Sequence, residues 1–225
     1  MSYKYETHFH TAESSRCGQT PAVEAVRHFK ERGYDGLFIT DHIIGYCSSF
    51  ATPEMSWEEK VACQAEGYLC AKAEGDRIGL KVFFGIEAAF YGTCHILTYN
   101  LSIEWLLKHP EIMEKSFSEY CDFVHEAGGF VVQAHPFRYR DDEIHLLLPQ
   151  MDAIEGVNGC NDEMANELSI AYARLAEKPM VAGSDMHDIS QIQRNGIETQ
   201  KPLDSALDYL NVIKSGEFKI FGEEL

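Results

Sequence analysis

"TPAVEAVRHFKERGYDGLFITDH", residues 20–42, contains a predicted helix followed directly by a predicted strand. Pro21 behind Thr20 suits the first turn of a helix, apolar residues then recur at helical spacing, and Gly33 marks the end. The second half is a short apolar run of the kind found in strands buried on both faces, and it stops abruptly at His42. We therefore predict a helix capped by Thr20 and a buried strand with a polar C-terminal end.

The alternation of helix and strand continues on both sides of this stretch. A strand ending in "HFH" at 8–10 precedes it, and a capping box from Ser56 to Glu59 begins the next helix. The runs at 80–90 and 91–100 predict two strands joined in a hairpin through Gly92 and Thr93. The remaining predictions are helices at 116–129, 161–179 and after Pro202, and strands at 130–137, 151–159, 180–188 and 218–222. This order indicates a mainly parallel α/β sheet, either open and doubly wound or closed into a barrel.

The composition indicates a folded chain with an acidic surface. With 225 residues, of which 45% are hydrophobic and 24% charged, we expect a single domain over residues 1–225. The formal net charge of -17 disfavours binding to long nucleic acid, which depends on Lys and Arg neutralising phosphates. A small phosphorylated substrate stays compatible with this charge, provided that bound metals supply positive charge locally.

The cysteines and the apolar runs bear on the cellular compartment. The seven cysteines include no CxxC pair and are scattered through apolar stretches, which predicts reduced core residues. The chain shows no apolar signal core and no run of 18 apolar residues, so we expect a cytoplasmic protein without a membrane partner. The cysteines are Cys17, Cys47, Cys63, Cys70, Cys94, Cys121 and Cys160.

Potential metal ligands stand at the ends of several predicted strands. Alternate side chains of a strand share one face, so His8 and His10 can bind one ion together. Imidazole mixed with carboxylate suits Zn, Mn or Fe, and a set of this size suits two or three divalent ions rather than one. The candidate ligands are His8, His10, His42, Glu87, His95, His135, Asp185 and His187.

In this order, the motifs "HFH", "TDH", "GIE", "HIL", "AHP" and "SDMHD" resemble those of the PHP (polymerase and histidinol phosphatase) family of metal-dependent phosphoesterases. The resemblance implies a distorted (β/α)7 barrel of the PHP type, with a trinuclear metal centre at its C-terminal rim. The ligands that it implies for the first metal are His8, His10, Glu87 and Asp185. Those implied for the second metal, to which Glu87 bridges, are His95 and His135, and those for the third are His42 and His187.

One position departs from the family pattern. Many members place an aspartate or histidine five or six residues after the second histidine of the first motif, where this chain has Ser15 and Arg16. The nearest carboxylate is Glu13, which we predict as the substitute ligand of the third metal. The alternative for Glu13 is a loop glutamate that faces solvent.

The resemblance implies hydrolysis of a small phosphomonoester by a metal-activated hydroxide. Among the ligands, Glu87, Asp185 and His187 are expected to act in catalysis. Arg138, in the motif "HPFR", is the first candidate for binding the phosphate, because a guanidinium group binds phosphate in a bidentate manner. Arg16 is the second candidate. The alternative to phosphate binding, for each arginine, is an exposed ion pair.

Three other functions are compatible with the sequence. A phosphodiesterase or nuclease acting on short nucleotides would use the same centre. A noncatalytic module is the second, since PHP domains also occur inside DNA polymerases, sometimes with an eroded metal site. The third is hydrolysis of a carbon–nitrogen bond on a similar His-x-His barrel; those enzymes commonly use a carboxylated lysine as the bridge, a place that Glu87 takes here.

Overall fold

The computed structural model describes residues 2–44, 49–140, 144–147, 149–191 and 195–222. Within these residues nine strands form one sheet. The strands are β1 (Tyr3–Phe9), β2 (Gly36–Ile39), β3 (Lys81–Phe90), β4 (Cys94–Tyr99), β5 (Phe130–Gln133), β6 (Ala153–Asn158), β7 (Met180–Gly183), β8 (Gly196–Thr199) and β9 (Phe218–Phe221). The helices are α1 (Ala22–Glu31), α2 (Trp57–Ile78), α3 (Ile103–Lys108), α4 (Phe117–Glu126), α5 (Glu163–Leu175) and α6 (Ala206–Ser215), with a 3-10 helix at Pro110–Glu114.

The sheet has the order β7-β6-β5-β4-β3-β2-β1-β8-β9 and is nearly closed into a barrel. Strand β4 is antiparallel to both of its neighbours, whereas the other pairs from β1 to β7 are parallel. The segment after β7 returns to β1, where the backbone N–H of Asp185 donates to the carbonyl of His8 at 2.8 Å. The N–H of His10 donates to the carbonyl of Met186 at 3.2 Å. These bonds decide between the open sheet and the barrel in favour of the barrel.

Local signals account for much of this arrangement. The predicted capping box is confirmed: Ser56 Oγ accepts from the Glu59 N–H, and the Glu59 carboxylate accepts from the Ser56 N–H. The predicted hairpin is confirmed between β3 and β4, where Tyr91 and Gly92 turn the chain with φ of 50° and 79°. Helix α3 and strand β8 were not predicted, because both are short and lack a clear apolar period.

The predicted cap of α1 is wrong. The helix begins at Ala22, and the Ala22 N–H donates to the two carboxylate oxygens of Glu13 at 3.0 and 2.9 Å. Thr20 has another role, since its Oγ1 accepts from the Ile189 N–H at 2.9 Å. A carboxylate nine residues away in the sequence therefore satisfies the helix N-terminus, and a local cap signal cannot reveal that.

Side chains inside the barrel separate into two layers along the strands. At the N-terminal ends of the parallel strands, aromatic rings pack against one another and against α6, with ring centroids about 5 Å apart. Further along the same strands the interior becomes polar. We call the first layer the aromatic end; its rings are Tyr5, Phe38, Phe83, Tyr99, Phe130 and Tyr209.

The six described cysteines form no disulfide, in agreement with the prediction of reduced thiols. Only Cys94 and Cys121 are buried, so the prediction of core positions does not hold for the other four. Cys47 lies outside the described residues. In the part of the chain that the structure describes, no helix is both long and apolar enough to cross a membrane.

Candidate metal centre

The C-terminal ends of the barrel strands bring the eight predicted strand-end ligands to one place. On β2 and its extension, Phe38 and His42 point to the same side, as do Phe83 and Glu87 on β3. Strand β4 runs in the opposite direction. Its polar residue His95 therefore comes before its aromatic residue Tyr99 in the sequence. We call this layer the polar end; it consists of His8, His10, His42, Glu87, His95, His135, Glu155, Asp185 and His187.

Glu87 lies at the middle of the polar end and contacts five imidazoles. Its Oε1 lies 2.9 Å from His95 Nδ1 and 3.0 Å from His135 Nε2. Its Oε2 lies 2.9 Å from His42 Nδ1 and 3.2 Å from His10 Nε2. His8 Nε2 is 3.5 Å from Oε1. A carboxylate in this position, with a different histidine set on each oxygen, suits a bridging ligand.

Asp185 supplies the second central carboxylate. Its Oδ1 lies 3.4 Å from His8 Nε2 and 3.3 Å from His10 Nε2. One ligand atom each from His8, His10 and Asp185 fits within 4.8 Å, and the same holds for His8, Glu87 and His135. The two groups of three ligands thus adjoin each other at His8, whose Nε2 can serve one ion of either group.

The backbone is strained at two of these ligands. His135 has a φ of 27° and Asp185 a φ of 52°, values that residues with a Cβ seldom adopt. Both residues stand just after a strand ends, where the chain leaves the extended conformation to aim the side chain inward. Such strain persists only where the surroundings enforce it, and it is common at functional sites.

A second layer of polar residues orients the histidines. Glu155 Oε1 lies 3.0 Å from His8 Nδ1, which leaves His8 Nε2 directed at Asp185. The other oxygen of Glu155 accepts from the His135 N–H at 2.9 Å and from Asn158 Nδ2 at 2.8 Å. Fixing one ring nitrogen in this way sets the tautomer and raises the affinity of a histidine for metal.

His10 and His187 have partners of their own. His10 Nδ1 lies 3.4 Å from Ser15 Oγ, and Ser15 donates to Asp41 Oδ1 at 2.7 Å. His187 Nδ1 donates to the backbone carbonyl of Asp185 at 2.8 Å. Sequence reasoning missed Glu155, Ser15 and Asp41 as site residues. Glu155 lies in the middle of the predicted strand at 151–159, whereas the predicted ligands stand at strand ends.

The protonation of the buried groups follows from these contacts. Burial lowers the pKa of His8, but the carboxylates of Asp185, Glu155 and Glu87 raise it well above its usual value. Burial likewise opposes the charge on His10, whose pKa the carboxylates of Asp185 and Glu87 raise to about 9. Positive charge on these two rings therefore balances the two central carboxylates.

Three histidines of the centre, His42, His135 and His187, favour the neutral form. Burial, followed by the charge of Arg138, lowers the pKa of His135 to about 4. Burial, followed by the charge on His10, lowers the pKa of His187 to about 4. Burial also lowers the pKa of His42. Neutral imidazoles are the form that binds metal.

The donor set fits divalent metal ions. Burial would raise the pKa of Glu87 and Asp185, but the surrounding imidazoles, together with Arg138 in the case of Asp185, hold both pKa values well below the usual range. Two ionised carboxylates therefore lie buried at the polar end. His135 Nδ1 is buried without a hydrogen-bond partner among the described residues. Mixed imidazole and carboxylate ligands suit Zn, Mn or Fe. These residues would hold such ions at the polar end.

The structure separates the two predicted phosphate-binding arginines. Arg138 borders the polar end: it forms an ion pair with Asp185 and donates to the side-chain oxygens of Asn158 and Asn161. Arg16 points elsewhere, donating to the Ser49 carbonyl at 2.9 Å. The guanidinium of Arg16 also covers the ring of Phe50, 5.1 Å from the centroid.

Glu13 is not brought to the histidines. Its carboxylate accepts from the N–H of Ala22 at the start of α1, and it is absent from the metal-binding groups found among the described residues. A different residue of the same loop, Cys17, lies with His10, His42 and His187 in one such group. The predicted substitute ligand of the third site thus lies at the start of α1 in the structure.

Comparison with known proteins places this geometry in context. A family model described as PHP-associated matches residues 163–218, the segment from α5 to the start of β9 that carries Asp185 and His187. A two-domain protein from Bacteroides vulgatus ATCC 8482, which contains a predicted PHP-like metal-dependent phosphoesterase, superposes with a TM-score of 0.72 at 16% identity. The alignment covers 98% of this chain and 65% of that chain. The predicted PHP-type fold is confirmed.

Two further structures share this PHP-type fold. One is a protein from Bifidobacterium adolescentis ATCC 15703 that is provisionally described as a metal-dependent phosphoesterase. It superposes with a TM-score of 0.58 at 15% identity, and the alignment covers 94% of this chain and 95% of that chain. The other is an amidohydrolase from Chromobacterium violaceum with bound sulfate and no metal, with a TM-score of 0.59, 15% identity and 97% of each chain covered. No curated protein matches the sequence. The PHP-type chain spans about 65% of the length of the two-domain protein.

Proposed function

We propose that the chain is a metal-dependent phosphoesterase that hydrolyses a small phosphomonoester. The observation that carries this proposal is the polar end itself: two buried carboxylates, Glu87 and Asp185, surrounded by imidazoles, with a guanidinium group at the border. Bound divalent ions would supply an activated water and would neutralise charge on the phosphoryl oxygens. Each bound ion would be Zn, Mn or Fe. The eight histidines and carboxylates of the sequence motifs would hold these ions.

Arg138 is the residue that we assign to the phosphate. A guanidinium group has five N–H donors, and the contacts with Asp185, Asn158 and Asn161 use three of them. These contacts fix the plane of the group, and the two other donors remain for phosphate oxygens. The pKa of Arg138 is raised, because the attraction of Asp185 outweighs burial, so the group stays charged.

Access to the polar end supports a small substrate. His8, His10 and Glu87 have side chains that are at most 1% exposed, whereas His187 is 23% and Arg138 17% exposed. A substrate therefore meets the centre from the side of His187 and Arg138. With Nδ1 of His187 bonded to the Asp185 carbonyl, Nε2 is the nitrogen left to bind an ion or accept a proton. The acidic net charge of -17 weighs against a long nucleic acid as substrate.

The experiment compares three substrates on one metal-loaded preparation: p-nitrophenyl phosphate, bis-p-nitrophenyl phosphate and p-nitroacetanilide. We expect metal-dependent release of nitrophenol, fastest from the monoester. Asp185→Asn should lower the rate by more than about 100-fold, because a ligand matters at least as much as its supporting residues. Asp204→Asn, at a side chain that is 72% exposed, is the control and should keep the rate. Faster hydrolysis of the diester or of the amide would overturn the proposed substrate class.

A further inference from the structure

A group of four donor residues lies beside the two central carboxylates. One ligand atom each from His10, Cys17, His42 and His187 fits within 4.8 Å. The imidazole of His10 stacks on that of His42 and on that of His187, with ring centroids 4.5 Å apart in both pairs. Three of these residues come from the sequence motifs, but the thiol does not.

We propose that Cys17 is a thiolate ligand of the third metal, together with His42 and His187. His10 also belongs to the group formed with His8 and Asp185, and one imidazole nitrogen serves one ion. Three protein ligands, with the fourth position open, are the usual arrangement of catalytic zinc, and both Cys and His are zinc ligands. This inference rests on the proposed function, since it concerns the same centre.

The loop holds Cys17 between two fixed points. On one side, the Ser15 N–H donates to the Thr11 carbonyl at 3.1 Å, and the Gly18 N–H donates to the Ser15 carbonyl at 3.0 Å. On the other side, the Gln19 N–H donates to the carbonyl of His187 at 2.7 Å. This last bond links Gln19, two residues after Cys17, directly to His187, which is another proposed ligand.

Gly18 permits this compact loop. A Cβ at residue 18 would lie 2.3 Å from the Thr11 carbonyl oxygen, which is backbone and has no other rotamer. The loop therefore folds back on itself closely enough to present residue 17 to the histidines. Glu13 in the same loop is directed to α1 instead, so the thiol takes the place that the sequence predicts for a carboxylate.

A thiolate changes which metal this position prefers. Soft sulfur ligands select Zn over Mg, Ca or Mn, whereas carboxylates favour the harder ions. Zn binds thiolate at about 2.3 Å and imidazole at about 2.0 to 2.1 Å, so a group spanning 4.8 Å closes around an ion with small side-chain shifts. The third position thus discriminates against Mn more strongly than the other two do.

Cobalt substitution tests the inference without an activity assay. Chelator-treated protein loaded with Co²⁺ should show sulfur-to-cobalt charge-transfer absorption in the near ultraviolet. Cys17→Ser should abolish that band and bind one ion fewer per chain. Cys160→Ser is the matched control, because Cys160 also borders the centre, with Sγ 3.2 Å from the Asp185 carbonyl, but is outside the group. It should keep the band.

A second measurement uses the unaltered chain and needs no variant to fold. Alkylation of Cys17 by iodoacetamide, followed by mass spectrometry, should slow by about tenfold or more when Zn²⁺ is bound, because the free thiolate is the nucleophile. Cobalt uptake without the band, or a band that survives in Cys17→Ser, would overturn the inference while leaving the metal centre intact. A chain that takes up no cobalt would overturn both the inference and the proposed function.

Discussion

Both ends of the barrel interior are largely buried, but they contribute differently to stability. At the aromatic end, Phe38, Tyr99 and Phe130 are excluded from water and packed ring against ring. At the polar end, His8 and Glu87 are also almost completely buried. Burial of the rings favours folding, whereas burial of imidazoles and carboxylates opposes it unless partners compensate. The aromatic end therefore stabilises the fold that holds the polar groups together.

The largest expected effect tests the aromatic end. Phe130→Ala should lower the free energy of unfolding by about 3 to 5 kcal/mol, because a fully buried ring leaves a cavity between Tyr99 and Tyr209. Urea denaturation measures this. Leu175→Ala, at a side chain that is 88% exposed, is the control and should change the value by less than about 0.5 kcal/mol. Equal losses in both variants would contradict the stabilising role assigned to Phe130 at the aromatic end.

The next effect concerns the polar end and should appear in binding rather than in folding. In Glu155→Gln the amide oxygen can face the His135 N–H and Asn158, and its NH₂ then donates to His8 Nδ1. The proton of His8 moves to Nε2, the nitrogen directed at Asp185. Zinc affinity measured by calorimetry should fall by about 10- to 100-fold.

The matched control for that substitution is Glu163→Gln, an exposed carboxylate at the start of α5. It should leave zinc affinity unchanged. The urea midpoint of Glu155→Gln should stay close to that of the parent, because the amide satisfies the same three neighbours. A variant that unfolds readily but binds zinc normally would show that Glu155 supports the fold instead of the metal.

A smaller effect is expected at the border of the polar end. Arg138→Gln should raise KM for a phosphomonoester by about tenfold with a lesser change in kcat, because a lost charge-assisted hydrogen bond to substrate weakens binding. Arg140→Gln is the control, since Arg140 pairs with Asp162 away from the metal ligands. Steady-state kinetics measures KM and kcat for both variants. An unchanged KM in Arg138→Gln would remove this residue from phosphate binding.

The smallest effect lies outside the barrel. Ser56→Ala removes the N-cap of α2 and should lower the free energy of unfolding by about 1 kcal/mol. Ser56→Asp keeps an acceptor for the Glu59 N–H and should restore most of that loss. Thermal denaturation followed by circular dichroism measures both. Neither variant should alter zinc affinity, and a change there would show that the helices and the polar end are coupled.

The sequence predicted well where strand geometry decides the outcome. His8 and Glu87 stand on strands and His10 directly follows β1, so alternation along a strand is enough to place His8 and His10 on one face. The hairpin at Gly92 was also predicted correctly, because its turn depends on residues that are neighbours in the sequence. Periodicity could not show whether the sheet closes, because closure depends on the pairing of β1 with the segment after β7, about 175 residues further along the chain.

Prediction failed in the loop that follows β1. Glu13 and Cys17 are four residues apart, and no periodicity says which of them faces the histidines. The outcome depends on the tight turn at Gly18 and on the bond from Gln19 to His187, both of which are tertiary. Glu155 was missed for another reason: it touches His8 through Nδ1, as a support for a ligand, and carries no motif of its own.

The most direct test of the polar end as a metal centre is the number of zinc ions that the chain binds. Chelator-treated protein is titrated with Zn²⁺ by calorimetry, and elemental analysis after dialysis confirms the count. The account predicts two or three ions per chain, because the donor groups around Glu87, Asp185 and Cys17 overlap only at His8 and His10 and together offer more ligands than one ion uses. Binding of no zinc would contradict it and would leave the buried imidazoles and carboxylates as a self-neutralised network without a metal.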